Sequence, residues 1–341
     1  MKVVVTANVT PFLTGGAVYH FEGLVAALKA RGHEVDTVRF PFSFNPEEGI
    51  ERLMDFCGAL DLSAPNGIRV DKLISLQFPG YGAQHPDHVV WVMHQHRVAY
   101  ELYEQMEQTL ELDHLRDAVH AFDADAFGRA SRVFANSRNV SERLARYNGI
   151  QSAPLYHPPP LAEHYRLGEA EAYVFMPSRM ERLKRQTLIL EAARLWRSPV
   201  KCILAGRGGQ FDHIRHLVHE YGLEDRVILL ETCTDAEKLA LYSNCLGVLY
   251  PPFDEDYGYV TLEAQLAAKP VITCTDSGGP LEFIHDGEEG FVTEPQPQAM
   301  ADAVDRLWDD RAKAREMGRL GLARYLERDI TWDTVVDRLT G

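Results

Sequence analysis

The sequence predicts an α/β chain of two doubly wound domains. A valine-rich run, MKVVVTANV, leads through a loop with Gly15 and Gly16 into a helical pattern over about residues 17–30, and GHEV then opens another strand. The same order of strand, loop and helix returns in AYVFMPSRMERLKRQTLILEAARLW. Between the two lies YHPPPLAEHYRLGEAEAY, the densest proline cluster; proline continues neither helix nor sheet, so this stretch reads as an interdomain linker near residues 157–168. With 341 residues and 45% apolar content, the chain can bury about two cores of ordinary size. In doubly wound sheets ligands bind beyond the carboxyl ends of the strands, so chemistry is expected on the loops there.

In the first half, a helix is expected over about residues 46–59, followed by a polar turn around Ala64, Pro65, Asn66 and Gly67. DKLISLQFPGYGAQHPDHVVWVMHQHR then gives two buried strands, near residues 73–77 and 88–94, separated by a Gly and Pro loop. His94 falls at the end of the second strand, with His96 as its rival. The two share a face if the strand continues, but no third ligand stands at a metal-binding spacing. Residues 100–130 carry helical periodicity and many acids, including Asp123 and Asp125. Residues i and i+2 of a helix face apart, so this pair reads as solvated helix surface rather than a cation site. SRVFANSRNVSERLARYNG supplies a strand and then Ser137 as the N-cap of a helix.

In the second half, one loop brings Arg179 and Lys184 close together, and RVILLETC is a further strand ending near Leu230. The stretch LYPPFDEDYGYVTLEAQLAAKPVITCTDSGGPLE, residues 249–282, reads as strand, acidic loop, helix, strand and glycine turn without interruption. Glu255 ends its loop. Glu263 lies eight residues on, inside a helix expected to start near Gly258, whose N-terminal N–H groups and positive dipole end suit an anionic ligand. PQAMADAVDRLWDDRAKAREMGRLGLARYLERDITWDTVVDRLTG, residues 297–341, is helical to the end, with a break at Asp329 to Thr331.

A net charge of −15 and an isoelectric point near 5.4 argue against a nucleic-acid groove or a broadly basic, membrane-facing surface. The five cysteines are widely spaced without Cys-x-x-Cys, which predicts reduced core thiols and no zinc site. No apolar run approaches the roughly 18 residues of a membrane span, and Met1 runs into a strand without a signal-peptide pattern; a cytoplasmic protein is expected.

Against this background EDYGYVTLE resembles the Glu-x7-Glu motif of the retaining GT-B glycosyltransferases, glycosyltransferase family four. DSGGPLEFIHDGEEGFV is similar to that family's following segment, TGGAVYHFEGLVAALKARGHEV to its first segment, and the loop with Arg179 and Lys184 to its Arg-x4-Lys diphosphate clamp. The similarity runs over nearly the whole chain and is strongest from Tyr173 to Trp308. It implies the GT-B fold, two facing Rossmann-like domains with a cleft between them. An acceptor-side domain would span residues 1–160, with the helix at 330–341 packing back on it, and a nucleotide-sugar-binding domain would span 161–329.

The resemblance further implies transfer of a hexose, with retention, from a UDP- or GDP-linked donor to a sugar or glycoconjugate acceptor in bacterial glycan or glycoconjugate synthesis, with neither a metal nor a separate cofactor. It gives Glu255 the sugar hydroxyls, Glu263 the ribose hydroxyls, and Arg179 with Lys184 the departing diphosphate. Gly15, Gly16 and the helix start at Gly258 would also face the diphosphate, Leu230 would touch the base through its backbone, and His94, in WVMHQHR, would contact the donor sugar beside the reacting centre. No carboxylate stands out as a nucleophile, which fits a front-face mechanism. Two other readings remain open: a nucleotide-sugar epimerase of the same architecture, and a non-catalytic nucleotide-sugar-binding protein. HRVAYELYEQMEQTLELDHLRDAV is too acidic to match the family's basic membrane-docking face, which argues against a lipid-linked acceptor.

Overall fold

The computed structural model describes residues 1–12, 15–44 and 46–341. The described chain divides into two units: unit 1 is Met1–His157 together with Thr331–Gly341, and unit 2 is Pro158–Ile330.

Unit 1 begins with β1 (Lys2–Val9), α1 (Gly16–Ala30), β2 (Glu34–Pro41) and α2 (Glu47–Ala59). β3 (Lys72–Ser75), β4 (His88–Val92), α3 (Leu110–Arg129), β5 (Arg132–Ala135), α4 (Arg138–Arg143) and β6 (Ala153–Pro154) follow. The six strands form one parallel sheet in the order β2-β1-β3-β4-β5-β6. A parallel sheet covered on both faces needs apolar residues in continuous runs, and Val3, Val5, Ile74, Val89, Val90 and Trp91 supply them, each 1% exposed or less. Helix starts follow local chemistry. The Thr109 hydroxyl accepts from the N–H of Leu112 at 3.1 Å, and Ser137, the expected cap, accepts from Val140 at 3.0 Å.

Two expectations need correction here. β4 ends at Val92, so His94 and His96 lie on the loop beyond it and share no strand face. The helix expected from residue 100 starts at Leu110; residues 97–105 form two short 3-10 turns instead.

Unit 2 runs β7 (Tyr173–Pro177), α5 (Gln186–Ala193), β8 (Lys201–Ala205), α6 (Phe211–Glu220), β9 (Val227–Leu230) and α7 (Asp235–Asn244). It continues with β10 (Gly247–Leu249), α8 (Tyr259–Leu266), β11 (Val271–Cys274), β12 (Gly290–Thr293), α9 (Pro297–Asp309) and α10 (Arg311–Glu327). Its parallel sheet has the order β12-β11-β10-β7-β8-β9. From β7 the chain moves outward through β8 and β9, then returns to the other side of β7 as β10. The loops after β7 and β10 therefore diverge at the switch point of the sheet, where doubly wound folds open a crevice.

The last helix, α11 (Trp332–Thr340), returns to unit 1. Thr331 caps it, and Val335, Val336 and Leu339, each 1% exposed or less, join the core built on Val3, Leu24, Leu28 and Trp91. No helix is long and apolar enough to cross a membrane among the described residues. All five cysteines are free thiols; Cys57, Cys202, Cys245 and Cys274 are buried and Cys233 is half-buried.

Candidate functional site

At the switch point of unit 2, three loops are tied together by backbone hydrogen bonds. Phe253 N–H donates to the carbonyl of Leu183 at 2.7 Å, joining the loop after β10 to the loop after β7. Asp254 and Glu255 donate to Asp276 and Ser277 at 2.8 and 3.0 Å, joining it to the loop after β11. Arg185 adds a bidentate ion pair with Asp276, at 2.7 and 2.6 Å, while holding a left-handed backbone (φ 57°). A planar guanidinium fork suits this carboxylate geometry, and it fixes the residue next to Lys184.

Within this frame the Lys184 ammonium meets the Glu255 carboxylate, each side chain 19% exposed. The Tyr250 hydroxyl accepts from Lys184 Nζ at 3.3 Å. Burial, reinforced by the charge of Glu255, pushes the Tyr250 phenol well above its ordinary range, so it keeps its proton. Neither Tyr250 nor Arg185 stood out in the sequence. Tyr250 reads as the end of an apolar strand, and Arg185 as one more charge in a basic loop; the signal for both is a partner brought in by tertiary structure.

Arg179 follows β7, is exposed, and its guanidinium has no ion pair or hydrogen bond among the described residues. Its backbone is held tightly nonetheless. A Cβ at Gly206 would stand 2.5 Å from the carbonyl oxygen of Ser178, and one at Gly208 would stand 2.4 Å from that of Met180, so only glycine lets the loop after β8 lie against residues 178–180. Leu230 ends β9, half-buried, and its carbonyl accepts from Gly206 N–H at 2.8 Å.

α8 starts where expected. Gly258 is its N-cap with φ 86°, and a Cβ there would meet the Tyr250 ring at 3.1 Å and Pro280 at 3.3 Å. The next helical turns bury Glu263, which is 3% exposed. Lys238 Nζ donates to Glu263 Oε1 at 2.7 Å, and the Tyr242 hydroxyl donates to Oε2 at 2.6 Å. These two partners come from α7, and the sequence reading missed both.

In unit 1, Gly15 is the N-cap of α1 in an extended conformation that any residue adopts, and Gly16 opens the helix. The Gly15 carbonyl accepts from the N–H groups of Val18 and Tyr19 at 3.0 and 3.3 Å. His94 is half-buried, with Nδ1 2.8 Å from the carbonyl oxygen of Gln95. A carbonyl only accepts, so Nδ1 carries a proton and donates to it. His96 is 3% exposed among Phe42, Phe44 and Phe78, and burial lowers its pKa to about 4.

The Asp123 and Asp125 pair requires a correction. Asp125 is exposed and pairs with Arg129, as helix surface should, but Asp123 is wholly buried. The hydroxyls of Tyr81 and Tyr100 each donate to it at 2.7 Å. Asn148 Nδ2 donates to the Tyr100 oxygen at 2.9 Å, and Gln95 donates to Asn148. Burial raises the Asp123 pKa to about 7, against the lowering effect of the two tyrosine hydrogen bonds.

One described group, His285, Glu288 and Glu289, has metal-ligand spacing, its donor atoms within 4.8 Å of one another. Arg324 pairs with both carboxylates. The group precedes β12, at the opposite end of the parallel sheet from Lys184 and Glu255.

A family model described as glycosyl transferases group 1 matches residues 161–322. Among curated relatives, the α-1,3/1,6-mannosyltransferase ALG2 of Dictyostelium discoideum is 36% identical over 120 residues, 34% of this chain and 28% of that protein. Human ALG2 is 33% identical over 168 residues, 44% of this chain and 40% of that protein. The D-inositol 3-phosphate glycosyltransferase of Paenarthrobacter aurescens (strain TC1) is 30% identical over 156 residues, 43% of this chain and 38% of that protein. The matched region thus spans well under half the length of these relatives.

Among solved structures, sucrose-phosphate synthase from Thermosynechococcus elongatus aligns with a TM-score of 0.80 at 19% identity, covering 99% of this chain and 97% of that one. Anabaena HepE in complex with UDP and glucose aligns with a TM-score of 0.74 at 17% identity, covering 100% and 98%. These likenesses show the shared fold. The switch point that carries Lys184, Glu255 and Glu263 lies inside the matched stretch, and residues 161–322 belong to the group 1 glycosyl transferases.

Proposed function

We propose that the chain transfers a hexose from a UDP- or GDP-linked sugar to a sugar or glycoconjugate hydroxyl, with retention at the anomeric carbon and without a metal, in bacterial glycan or glycoconjugate synthesis. The observation that carries this is the Lys184, Glu255 and Tyr250 cluster at the switch point of a group 1 glycosyl transferase sheet. The transition state resembles an oxocarbenium ion parting from a diphosphate, so its developing negative charge needs cations fixed in advance. Lys184 is such a cation, held by Glu255 and Tyr250, and Arg179 adds a second whose backbone is held while its guanidinium is exposed. The start of α8 at Gly258 adds its dipole, and the exposed Arg179 guanidinium has donors to spare.

In this reading the diphosphate draws Lys184 away from Glu255, and the freed carboxylate accepts hydroxyls of the donor sugar. Glu263 takes the ribose, Leu230 the base through its backbone, and Gly15, Gly16 and His94 keep the roles the resemblance gives them. Neutral His94 can accept from a sugar hydroxyl through Nε2. UDP and glucose in the HepE complex, and mannosyl transfer in the name ALG2, support a nucleotide-linked hexose as donor.

Incubation with UDP- and GDP-linked hexoses and a panel of sugar acceptors tests the proposal. Free nucleoside diphosphate together with an α-linked product from an α-linked donor is expected. Epimerised donor would point to an isomerase instead, and tight binding without turnover to a non-catalytic binder. Turnover that stops in chelator and returns only with magnesium or manganese would overturn the metal-free part.

A further inference from the structure

Lys238 occupies an odd place for a cation. It lies in the first turn of α7, where the helix dipole disfavours positive charge. That turn is rigid: Thr234 accepts from Glu237 N–H at 3.2 Å while the Glu237 carboxylate accepts from Thr234 N–H at 2.8 Å, a closed capping box. One turn on, Tyr242 lies on the same helical face, wholly buried. Both side chains converge on the Glu263 carboxylate, one on each oxygen.

A carboxylate oxygen offers two lone-pair directions. Among the described residues the Glu263 side chain accepts only from Lys238 and Tyr242, so each oxygen keeps one direction unused. Two neighbouring acceptor positions, on a carboxylate that cannot rotate, match the two vicinal hydroxyls of a ribose. We infer that Lys238 and Tyr242 are positioning residues that hold the Glu263 carboxylate aimed at the ribose 2′- and 3′-hydroxyls, so that they set the preference for ribose in the donor. This inference rests on the nucleotide-sugar reading above.

The test compares UDP or GDP, whichever the unaltered protein binds, with its 2′,3′-dideoxy analogue by calorimetry. Hydrogen bonds to a charged group should make the unaltered protein favour the ribose form by about 10- to 100-fold. In Lys238→Met that ratio is expected to fall towards one, through loss of affinity for the ribose form alone, with affinity for the dideoxy analogue unchanged. Tyr242→Phe, which removes one oxygen atom, should lower the ratio less, and Lys238→Arg should restore most of it. With saturating donor, turnover should stay close to that of the unaltered protein while KM rises. A merely structural role would weaken both nucleotides equally.

A Lys238→Met or Tyr242→Phe protein that keeps the full ratio would overturn the inference, as would an unaltered protein that binds both nucleotides equally. If Lys238→Met does not fold, Tyr242→Phe and Lys238→Gln carry the same comparison. Failure of the unaltered protein to bind any nucleoside diphosphate would instead strike at the proposed function, and is read separately.

Discussion

Asp123 in unit 1 and Glu263 in unit 2 are both buried to within 3% of completeness, and each accepts from a tyrosine hydroxyl. Their remaining partners differ. Asp123 has a second tyrosine, Glu263 an ammonium. Hydroxyls alone do not offset the loss of hydration around a buried charge, and the Asp123 pKa is accordingly pushed up to about 7. A lysine supplies the opposite charge as well as a hydrogen bond, which the first arrangement lacks. The first is a stability element, the second a candidate site. A buried acid is therefore read from its cation, not from its burial.

Substitutions in the two units should accordingly be felt in different measurements. The largest effect is expected for Lys184→Ala, which in the proposed function removes a preorganised charge partner of the diphosphate. Turnover should fall by about 2 to 4 kcal/mol in transition-state stabilisation, and nucleoside diphosphate affinity should fall with it. An unchanged rate in a folded variant would remove Lys184 from the site. Next comes Glu255→Gln, for which titration with nucleoside diphosphate should show nearly normal affinity while turnover drops by roughly 10- to 1000-fold. Loss of nucleotide affinity with turnover intact would mean that the roles of Glu255 and Glu263 are exchanged.

Asp123→Asn should leave turnover alone and change the pH dependence of unfolding. The folded pKa, about 7, lies above the ordinary carboxyl value, so folding retains a proton that the unfolded chain has lost. Its stabilising contribution is complete below about pH 4 and fades as pH rises to 7, at no more than about 1.4 kcal/mol per pH unit. Urea unfolding at several pH values should therefore show the difference between parent and Asn variant shrinking over that range; a constant difference would mean that Asp123 does not titrate there. Buried His20 and His88, held neutral with pKa values lowered to about 3, act with the opposite sign, and their contribution is lost as pH falls below the ordinary histidine value. The smallest effect is expected for Arg31→Ala. Its partners Asp333 and Asp337 are exposed, and the unfolding midpoint should not move measurably.

Much of this was legible in the sequence for a local reason. Arg179 and Lys184 share one loop, and Glu255, Gly258 and Glu263 share one loop and helix start, so their relation depends on spacing and one helix cap. Asp123 was misread because its spacing to Asp125 is local while its real partners, Tyr81 and Tyr100, stand 42 and 23 residues away. Lys238 and Tyr242 escaped for the same reason, 25 and 21 residues from Glu263. A lysine and a tyrosine four apart on one helical face, with the lysine in the first turn, were the available signal. At His94 the apolar run of β4 reads on past Val92, where the ladder with β5 stops at Ala135.

The return of α11 to unit 1 bears on how the chain is made. Synthesis proceeds from the N-terminus, and domains ordinarily fold in the order in which they leave the ribosome. Unit 2 is one continuous stretch and can close its core once Ile330 has emerged. Unit 1 begins to be translated before unit 2, yet Val335, Val336 and Leu339 are missing from its core until all of unit 2 has been made. Burying such side chains contributes about 1.5 to 3 kcal/mol each, a large share of what holds an ordinary domain folded. The unit whose synthesis starts ahead of the other thus closes its core after it, and during that interval its apolar face beside Leu24, Leu28 and Trp91 is what a chaperone would meet.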